Sequence, residues 1–557
     1  MAESNELLKA ISDRLGKRSL FFVCRDIERA IGLDLTLKNY RIITNTNKFS
    51  LKLSGQYPNI TLIKSKEQLG TRDLLLHKKT EALIKKEDFV LVFKNTTRIE
   101  SICDGHGWNL INPPAALADK VEEKISQIEW LGDLRKYLPE FKIQLCKDIN
   151  WRWNKFVLQF NRSHAGSGTV LIDTKEKLDE IKNKFPMREA RTVRYIKGPL
   201  FTNNNLVWGD DILIGNINYQ ITGLSPFTDN KFATIGNDWA LPHKILNEIQ
   251  TGQYKKIAED VGLKLKNEGW KGLFGIDVIL DENSGIPYLI EINARQPAST
   301  TYESVLQVKG RDRHEKIAST FEAHLASLLG INRDERYLIQ INDGAQILQR
   351  VTEKIDHLKN PKFKDKSIHT IYYLNKKIGS DLLRIQTDKG IMEDHNVFND
   401  LGRTILVGIM TAHKEIIRER SRAGVILIRS GFIGGSKILL MKRNKYGSEY
   451  YAMPGGTVEP GESMKETAIR EIEEETHLKF EIDKEKKPIR LTAPRREYYF
   501  FAKNIQGREE LGGPERERNV ESNSYKLEWV DLEKLKDIKL KPEPLKNKLL
   551  KALAEES

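Results

Sequence analysis

A multidomain protein of mixed α/β and α+β character is what the sequence predicts, on three observations. The chain has 557 residues, enough for three or four domains that each bury a core. Its first 115 residues or so alternate helix-like stretches with short β-rich runs, the order of a parallel α/β layer. Two later stretches, 275–295 and 456–478, set carboxylates at strand and helix spacing among apolar residues.

Composition narrows the function classes. Hydrophobic residues at 39% and charged residues at 30% fit an ordinary soluble protein. No apolar run approaches the roughly 18 residues of a bilayer span, so no membrane partner is expected. Residues 1–19 lack the apolar centre of a secretory signal. Cys24, Cys103 and Cys146 are too few and scattered for a disulfide framework or a zinc site, which points to a reducing cytoplasm. The net charge of +13 is spread as lysines among glutamates. It suits phosphorylated ligands, and nucleic acid is not the expected partner.

Read in order, Tyr40–Thr44, Ile60–Ile63 and Phe89–Phe93 are strands of the first layer, and the turn at Asn112-Pro113-Pro114 closes it. Ala115–Leu131 reads as one amphipathic helix. Residues 151–172 read as two strands around a polar, Gly-containing loop. Strands 275–280 and 288–293 follow, joined by a turn. Asp277, Glu291 and Asn293 alternate there with Ile, Val or Leu and so share one face of the pair. Two carboxylates and an amide on one face suit oxygen ligation of Mg²⁺. Arg295 comes two residues later and reaches the same side. Tyr337–Ile341, Ala345–Val351, His369–Leu374 and Leu382–Gln386 read as strands of a small β-rich module. A helix at 407–420 precedes a new strand at 423–428.

In the last constellation Glu471, Glu474 and Glu475 lie three and four apart and project from one helix face. Such a cluster needs a cation between its members. Hard oxygen ligands favour Mg²⁺ or Mn²⁺ over zinc. Ser463 and Glu466 form a capping-box pattern at the helix start, and Arg470 is spaced to brace the loop at Glu462. Gly456, Glu462, Arg470, Glu471, Ile472, Glu474, Glu475 and Leu478 match the Nudix box, so the stretch resembles that of Nudix hydrolases. His477 stands where that family has glycine, at the helix end, where a left-handed residue is usual.

Residues 116–330 resemble the ATP-grasp fold, whose two lobes clamp Mg-ATP. That resemblance assigns the metal pair and asparagine to Asp277, Glu291 and Asn293, and the arginine that steadies an acyl-phosphate to Arg295. It also implies nucleotide contacts from Lys120, from the phosphate loop containing Ser163, His164, Gly166, Ser167 and Gly168, and from the hinge backbone at Arg194 and Ile196. Gln159 stands where the family usually has a phosphate-contacting lysine. Lys155, Arg162 or His164 would have to cover it.

The resemblances imply four domains: a preATP-grasp-like α/β domain at 1–115, ATP-grasp at 116–330, the β-rich module at 331–412, and a Nudix α/β/α sandwich at 413–557. They imply a bifunctional enzyme. Its ligase half would use ATP and Mg²⁺ to join a small-molecule carboxylate to an amine or thiol through an acyl-phosphate. Its Nudix half would hydrolyse a nucleoside diphosphate-linked substrate, using metals on Gly456, Glu471, Glu474 and Glu475, with a box glutamate or Glu515 as general base. Aromatic faces for a base are offered by 498–501, Tyr525 and Trp529, for which core packing is the other reading. Two alternatives stay open: a ligase regulated by a nucleotide-sensing Nudix module, and a nucleic-acid or cap-processing Nudix enzyme on a degenerate ATP-grasp scaffold. A homo-oligomer is left open.

Overall fold

A computed structural model describes residues 6–555 except 152–153, 162–167, 312–316, 334–335, 354, 356–357, 359–360, 362, 364, 374, 376, 420, 431–434, 446–447, 459–461, 493–495, 518 and 520–522. The chain divides into two compact units, residues 1–357 with 363–407, and residues 358–362 with 408–557.

The first unit begins with the helix Glu6–Leu15, which buries Leu7, Ile11 and Leu15 at helical spacing. A five-stranded parallel sheet follows, in the spatial order Ile60–Ile63, Tyr40–Asn45, Leu20–Val23, Phe89–Val92, Asn109–Leu110. Its apolar runs are buried on both faces, as a covered parallel sheet requires. Phe321, from the helix Thr320–Leu328, packs against Phe22 and Tyr40 of this sheet.

The expected helix over 115–131 is two helices, Ala115–Glu122 and Ser126–Leu131. Between them the chain turns extended at Glu123, and the flanking Glu122 and Lys124 go to ion pairs with Arg295 and Glu291.

Next comes a four-stranded antiparallel sheet, ordered Phe141–Leu145, Glu189–Arg194, Phe156–Gln159, Thr169–Ile172. The larger sheet of this unit runs through Pro287–Asn293, Gly272–Leu280, Leu200–Trp208, Asn218–Thr222 and Thr234–Asp238. It continues without a break into Ala345–Arg350, Asp381–Thr387 and Ile368–Tyr372. The strands expected to form a separate module over 331–412 therefore extend this sheet. The physical reason is backbone pairing, Gly236 opposite Ile347 and Asp238 opposite Ala345, which apolar patterning within 331–412 cannot reveal. Residues 337–341 are not a strand, and Leu338 makes one isolated bridge to Ala318.

In the second unit, Arg422–Ile426 pairs in parallel with Glu497–Gln506 and antiparallel with Gly455–Thr457. A second sheet carries Ile428–Ser430, Ser436–Lys445, Ser448–Ala452, Asn523–Asp531 and Leu540–Lys541. Ala468 and Ile472 of the helix Met464–Thr476 pack with Ala423 and Val425. Leu545 and Leu549 of the helix Glu543–Ala554 pack with Ile426, Tyr499 and Phe501. No helix among the described residues is long and apolar enough to cross a membrane.

Candidate functional site

In the first unit the register puts Asp277 directly opposite Glu291 and Gly275 opposite Asn293. Directly opposed residues share a face, so the strand alternation delivers both carboxylates and the amide to one side. Asn293 Nδ2 lies 3.4 Å from Asp277 Oδ1. Burial, then the charge of Glu291, pushes the Asp277 carboxyl up to about 6. Burial opposes ionisation of Glu291 too, but Lys124, at 2.9 Å, and then Arg295 hold its carboxyl below the usual range. Arg295 donates from Nη2 to Asn293 Oδ1 at 2.7 Å and from Nη1 to Glu122, which also pairs with Lys94. Lys124, Glu122 and Lys94 escaped the sequence reading. Their signal is faint, two lysines and one glutamate on otherwise ordinary surface-like stretches.

Of the residues expected around the nucleotide, Lys120 pairs with Glu268 at 3.6 Å and is half exposed. Ser163, His164, Gly166 and Ser167 lie outside the described residues. Gly168 closes the hairpin, its carbonyl accepting from the Phe160 N–H at 2.9 Å. At the hinge Ile196 is buried, while the Arg194 N–H donates to the Glu140 carbonyl at 2.8 Å and its guanidinium reaches Asp281 at 3.4 Å. Arg194 thus has its backbone donor engaged by protein.

Gln159 is buried, with Oε1 lacking a hydrogen-bond partner among the described residues. The residue directly across from it on Glu189–Arg194 is Arg191. Arg191 is 1% exposed, and burial alone pushes its guanidinium down to about 10. It donates to the Lys124 carbonyl at 3.4 Å, and its Nε has no hydrogen-bond partner among the described residues. A buried guanidinium is costly unless an anion meets it. The cation that Gln159 lacks therefore stands on the neighbouring strand.

In the second unit the capping box forms as the sequence predicts. Ser463 Oγ accepts from the Glu466 N–H at 3.3 Å, and Glu466 accepts from the Ser463 N–H at 2.8 Å. His477 ends the helix at φ 55°, the left-handed cap. Arg470 braces the entering loop through Glu462 at 2.7 and 3.0 Å.

Helix spacing sets Glu471 within range of the charges of both Glu474 and Glu475, while the three carboxylates take different partners. Arg470 lies at 2.9 Å from Glu471 and 3.3 Å from Glu474 and bridges the two. Glu475 turns inward, accepting from the Gly455 N–H at 2.8 Å. Burial, then the charge of Glu515, pushes its carboxyl up to about 8. Among the described residues no three acidic, histidine or cysteine side chains form a ready-made metal cage.

Glu471, Glu475, Glu515 and Gly456 nonetheless line one cavity of about 780 Å³, together with Arg422, Arg443 and Tyr525. A Cβ at Gly456 would fall 1.9 Å from the Glu471 carboxyl carbon and push that side chain out of its present place. Tyr499 and Phe501 are core residues, and Trp529 packs beside the buried helix face. Of the expected aromatic faces Tyr525 alone lines the cavity, and Arg443 stacks on it at 3.7 Å. Glu515 sits on the short helix Gly513–Glu517.

Comparison with known proteins finds a domain around each site. The model of the ATP-grasp domain matches residues 121–299, and that of the NUDIX domain matches residues 418–553. The fold is similar to N5-carboxyaminoimidazole synthetase from Staphylococcus aureus complexed with ADP, over 71% of this chain and 98% of that one, with TM-score 0.51 and 12% identity. A second structure of the Staphylococcus aureus enzyme has the same coverage and identity with TM-score 0.50. At such identity the likeness is one of fold. This chain is an enzyme that carries an ATP-grasp domain and, C-terminal to it, a NUDIX domain.

Proposed function

We propose that the chain is an ATP-dependent ligase of a small-molecule carboxylate and an amine or thiol, joined to a divalent-metal-dependent diphosphate hydrolase. The observation that carries the ligase half is the opposed pair Asp277 and Glu291, with Asn293 on the same face and Arg295 held beside it. The residues fit Mg²⁺ or Mn²⁺. Asp277 and Glu291 are hard oxygen donors crowded enough that one carboxyl is driven toward neutrality, which an intervening cation would reverse. In the hydrolase half Glu471 and Glu475 border a cradle that a Cβ at Gly456 would fill. When bound, the metal would neutralise phosphate charge at the first site and acidify water at the second.

The chain's own residues supply the rest. Asp277, Glu291 and Asn293 would hold the cation, and Arg295 would steady negative charge as a carboxylate attacks the γ-phosphate of ATP. Arg191 would meet the ATP phosphates in place of the lysine absent at Gln159. The Lys124 carbonyl would hold that arginine in place. In the hydrolase, Glu471 and Glu475 would hold metal. We assign the general base to Glu515, which lines the cavity beside Glu475, over the half-exposed Glu474 held by Arg470. Arg422 and Arg443 bring positive charge to a diphosphate, and Tyr525 offers a ring face to a base.

The test is mass spectrometry of products after incubating the full chain with Mg-ATP and a deproteinised metabolite extract. We expect ADP and a condensed product, both lost in Glu291→Gln, and cleaved diphosphates, lost in Glu475→Gln. ADP formation that persists in Glu291→Gln would overturn the ligase reading, and diphosphate cleavage that persists in Glu475→Gln the hydrolase reading.

A further inference from the structure

The cavity of the second unit is walled by two different sets of residues. Glu471, Glu475 and Glu515 reach it from the helices Met464–Thr476 and Gly513–Glu517. Another wall comes from the second sheet, whose strand Ser436–Lys445 contributes Met441 and Arg443. Residues two apart on a strand share a face. The register sets Ala452 opposite Met441, and places Tyr450 and Tyr525 opposite Arg443 on its two neighbouring strands. Opposed residues share that face too. The sheet therefore carries a Tyr450–Arg443–Tyr525 row next to the apolar Met441 and Ala452.

Hydrogen bonds hold the row in place. The Arg443 guanidinium lies 3.7 Å from the centre of the Tyr525 ring and 5.9 Å from that of Tyr450. Arg443 Nη2 donates to Asn523 Oδ1 at 3.1 Å, and Asn523 Nδ2 donates to the Tyr525 hydroxyl at 3.4 Å. Asn519 fixes the Tyr525 backbone, accepting from its N–H at 2.9 Å and donating to its carbonyl at 3.1 Å. Tyr525 is 8% exposed, whereas Arg443 is half-buried. The ring therefore meets a ligand mainly through the guanidinium laid on it. Arg443 Nε is enclosed by protein, and the adjacent Nη2 is given to Asn523. That closes the Nε–Nη2 edge, one of the edges with which an arginine clamps a phosphate. A flat guanidinium face beside two apolar side chains is a surface on which a base can stack.

We propose that Arg443, laid on Tyr525, is the specificity-determining residue of this cavity and selects a purine nucleoside diphosphate group, which rests on the hydrolase reading and names its substrate class. A purine offers two fused rings and a pyrimidine one, so the same guanidinium face covers more of a purine and draws on more of its π electrons. Met441 and Ala452 would take the part of the base that extends past the guanidinium. A phosphate seated on Arg443 instead would gain from charge alone, and binding would then be indifferent to the base.

The test is hydrogen exchange of the full chain with Mg²⁺ present, read on the peptides that span Ser436–Lys445 and Asn523–Asp531. The probes are the non-hydrolysable α,β-methylene diphosphates of adenosine, guanosine, uridine and cytidine, and methylenediphosphonate itself. Reading those peptides reports this cavity even where an adenine nucleotide also occupies the first unit. We expect half-protection by the two purine analogues at concentrations about tenfold below those of the pyrimidine analogues. In Arg443→Lys, which keeps the charge and loses the flat face, that preference should shrink about fivefold. Protection by the uridine analogue should stay within about threefold in the variant, which reports that the fold is intact. Equal protection by all four nucleotides, a purine preference that persists in Arg443→Lys, methylenediphosphonate as effective as the nucleotides, or no protection by any probe would overturn the proposal. Failure of the hydrolase reading looks different. Purine-selective protection in a chain that cleaves no diphosphate removes the hydrolase and keeps the site, whereas cleavage that is lost in Glu475→Gln and indifferent to the base keeps the hydrolase and removes the site.

Discussion

Arg191 and Gln159 exchange the roles that their strands suggest in isolation. Gln159 sits where a cation is expected, and the cation lies opposite it on the adjacent antiparallel strand. Side chains opposed across such a pair share one face, so moving the charge across the ladder shifts it by one strand spacing while keeping it on that face. Removing a charge-assisted phosphate contact costs about 1.5–3 kcal/mol, roughly 10- to 150-fold in affinity. We therefore expect Arg191→Gln to weaken Mg-ATP binding by that factor in calorimetry, and Gln159→Lys in the same chain to restore much of it. Unchanged binding in Arg191→Gln would show that other groups hold the phosphates. Asp277, Glu291 and Asn293 were legible in the sequence because strand alternation alone puts them together. Arg191 was not, because its value depends on which residue the register sets opposite Gln159. The Nudix glutamates were legible as residues but not as a geometry, since helix spacing says nothing of Arg470 reaching back between two of them.

Helices show the same division between local and tertiary information. The start and stop of Met464–Thr476 were readable, because the Ser463–Glu466 cap and the left-handed His477 are written in adjacent residues. The helix Thr320–Leu328 carries instead a tertiary device. His324 is 3% exposed, and its Nδ1 accepts from the Leu273 N–H at 3.1 Å. Gly272 permits that approach, since a Cβ there would lie 2.6 Å from Nδ1. Burial pushes the imidazole down to about 3. The folded state therefore prefers neutral His324, a stabilisation fully present above the unfolded value near 6.5 and lost as pH falls toward 3. At pH 5 the loss is on the order of 2 kcal/mol. We expect denaturant midpoints of the first unit to drop between pH 6.5 and 4, and to drop less in His324→Gln, whose amide oxygen can accept from Leu273 without titrating. Equal slopes in the two chains would refute the assignment.

At the scale of the molecule, the sequence reads the order of domains more easily than their limits. Both enzymatic domains announce themselves by motifs that lie within some twenty residues of chain. The limit of the first unit does not, because the strands after residue 331 pattern like any small β module while their backbone partners lie a hundred residues earlier. The consequence is physical. Ending the chain at 330 would remove Ala345–Arg350 and leave Thr234–Asp238 as a bare edge, with unpaired N–H and C=O groups open to another chain. It would also strip the Ile391 and Met392 N–H donors, at 2.6 and 2.8 Å, from the buried Asp238 carboxylate, and those two bonds are half of the four backbone donors it accepts from. A fragment of residues 1–419 keeps all of these strands and the whole helix Asp400–Glu419. We expect the fragment 1–419 to be soluble and to bind Mg-ATP with the affinity of the full chain, and the fragment 1–330 to aggregate. Sedimentation and calorimetry decide between the outcomes: a soluble, nucleotide-binding 1–330 would mean that the added strands are an appendage to the sheet and not part of what holds it together.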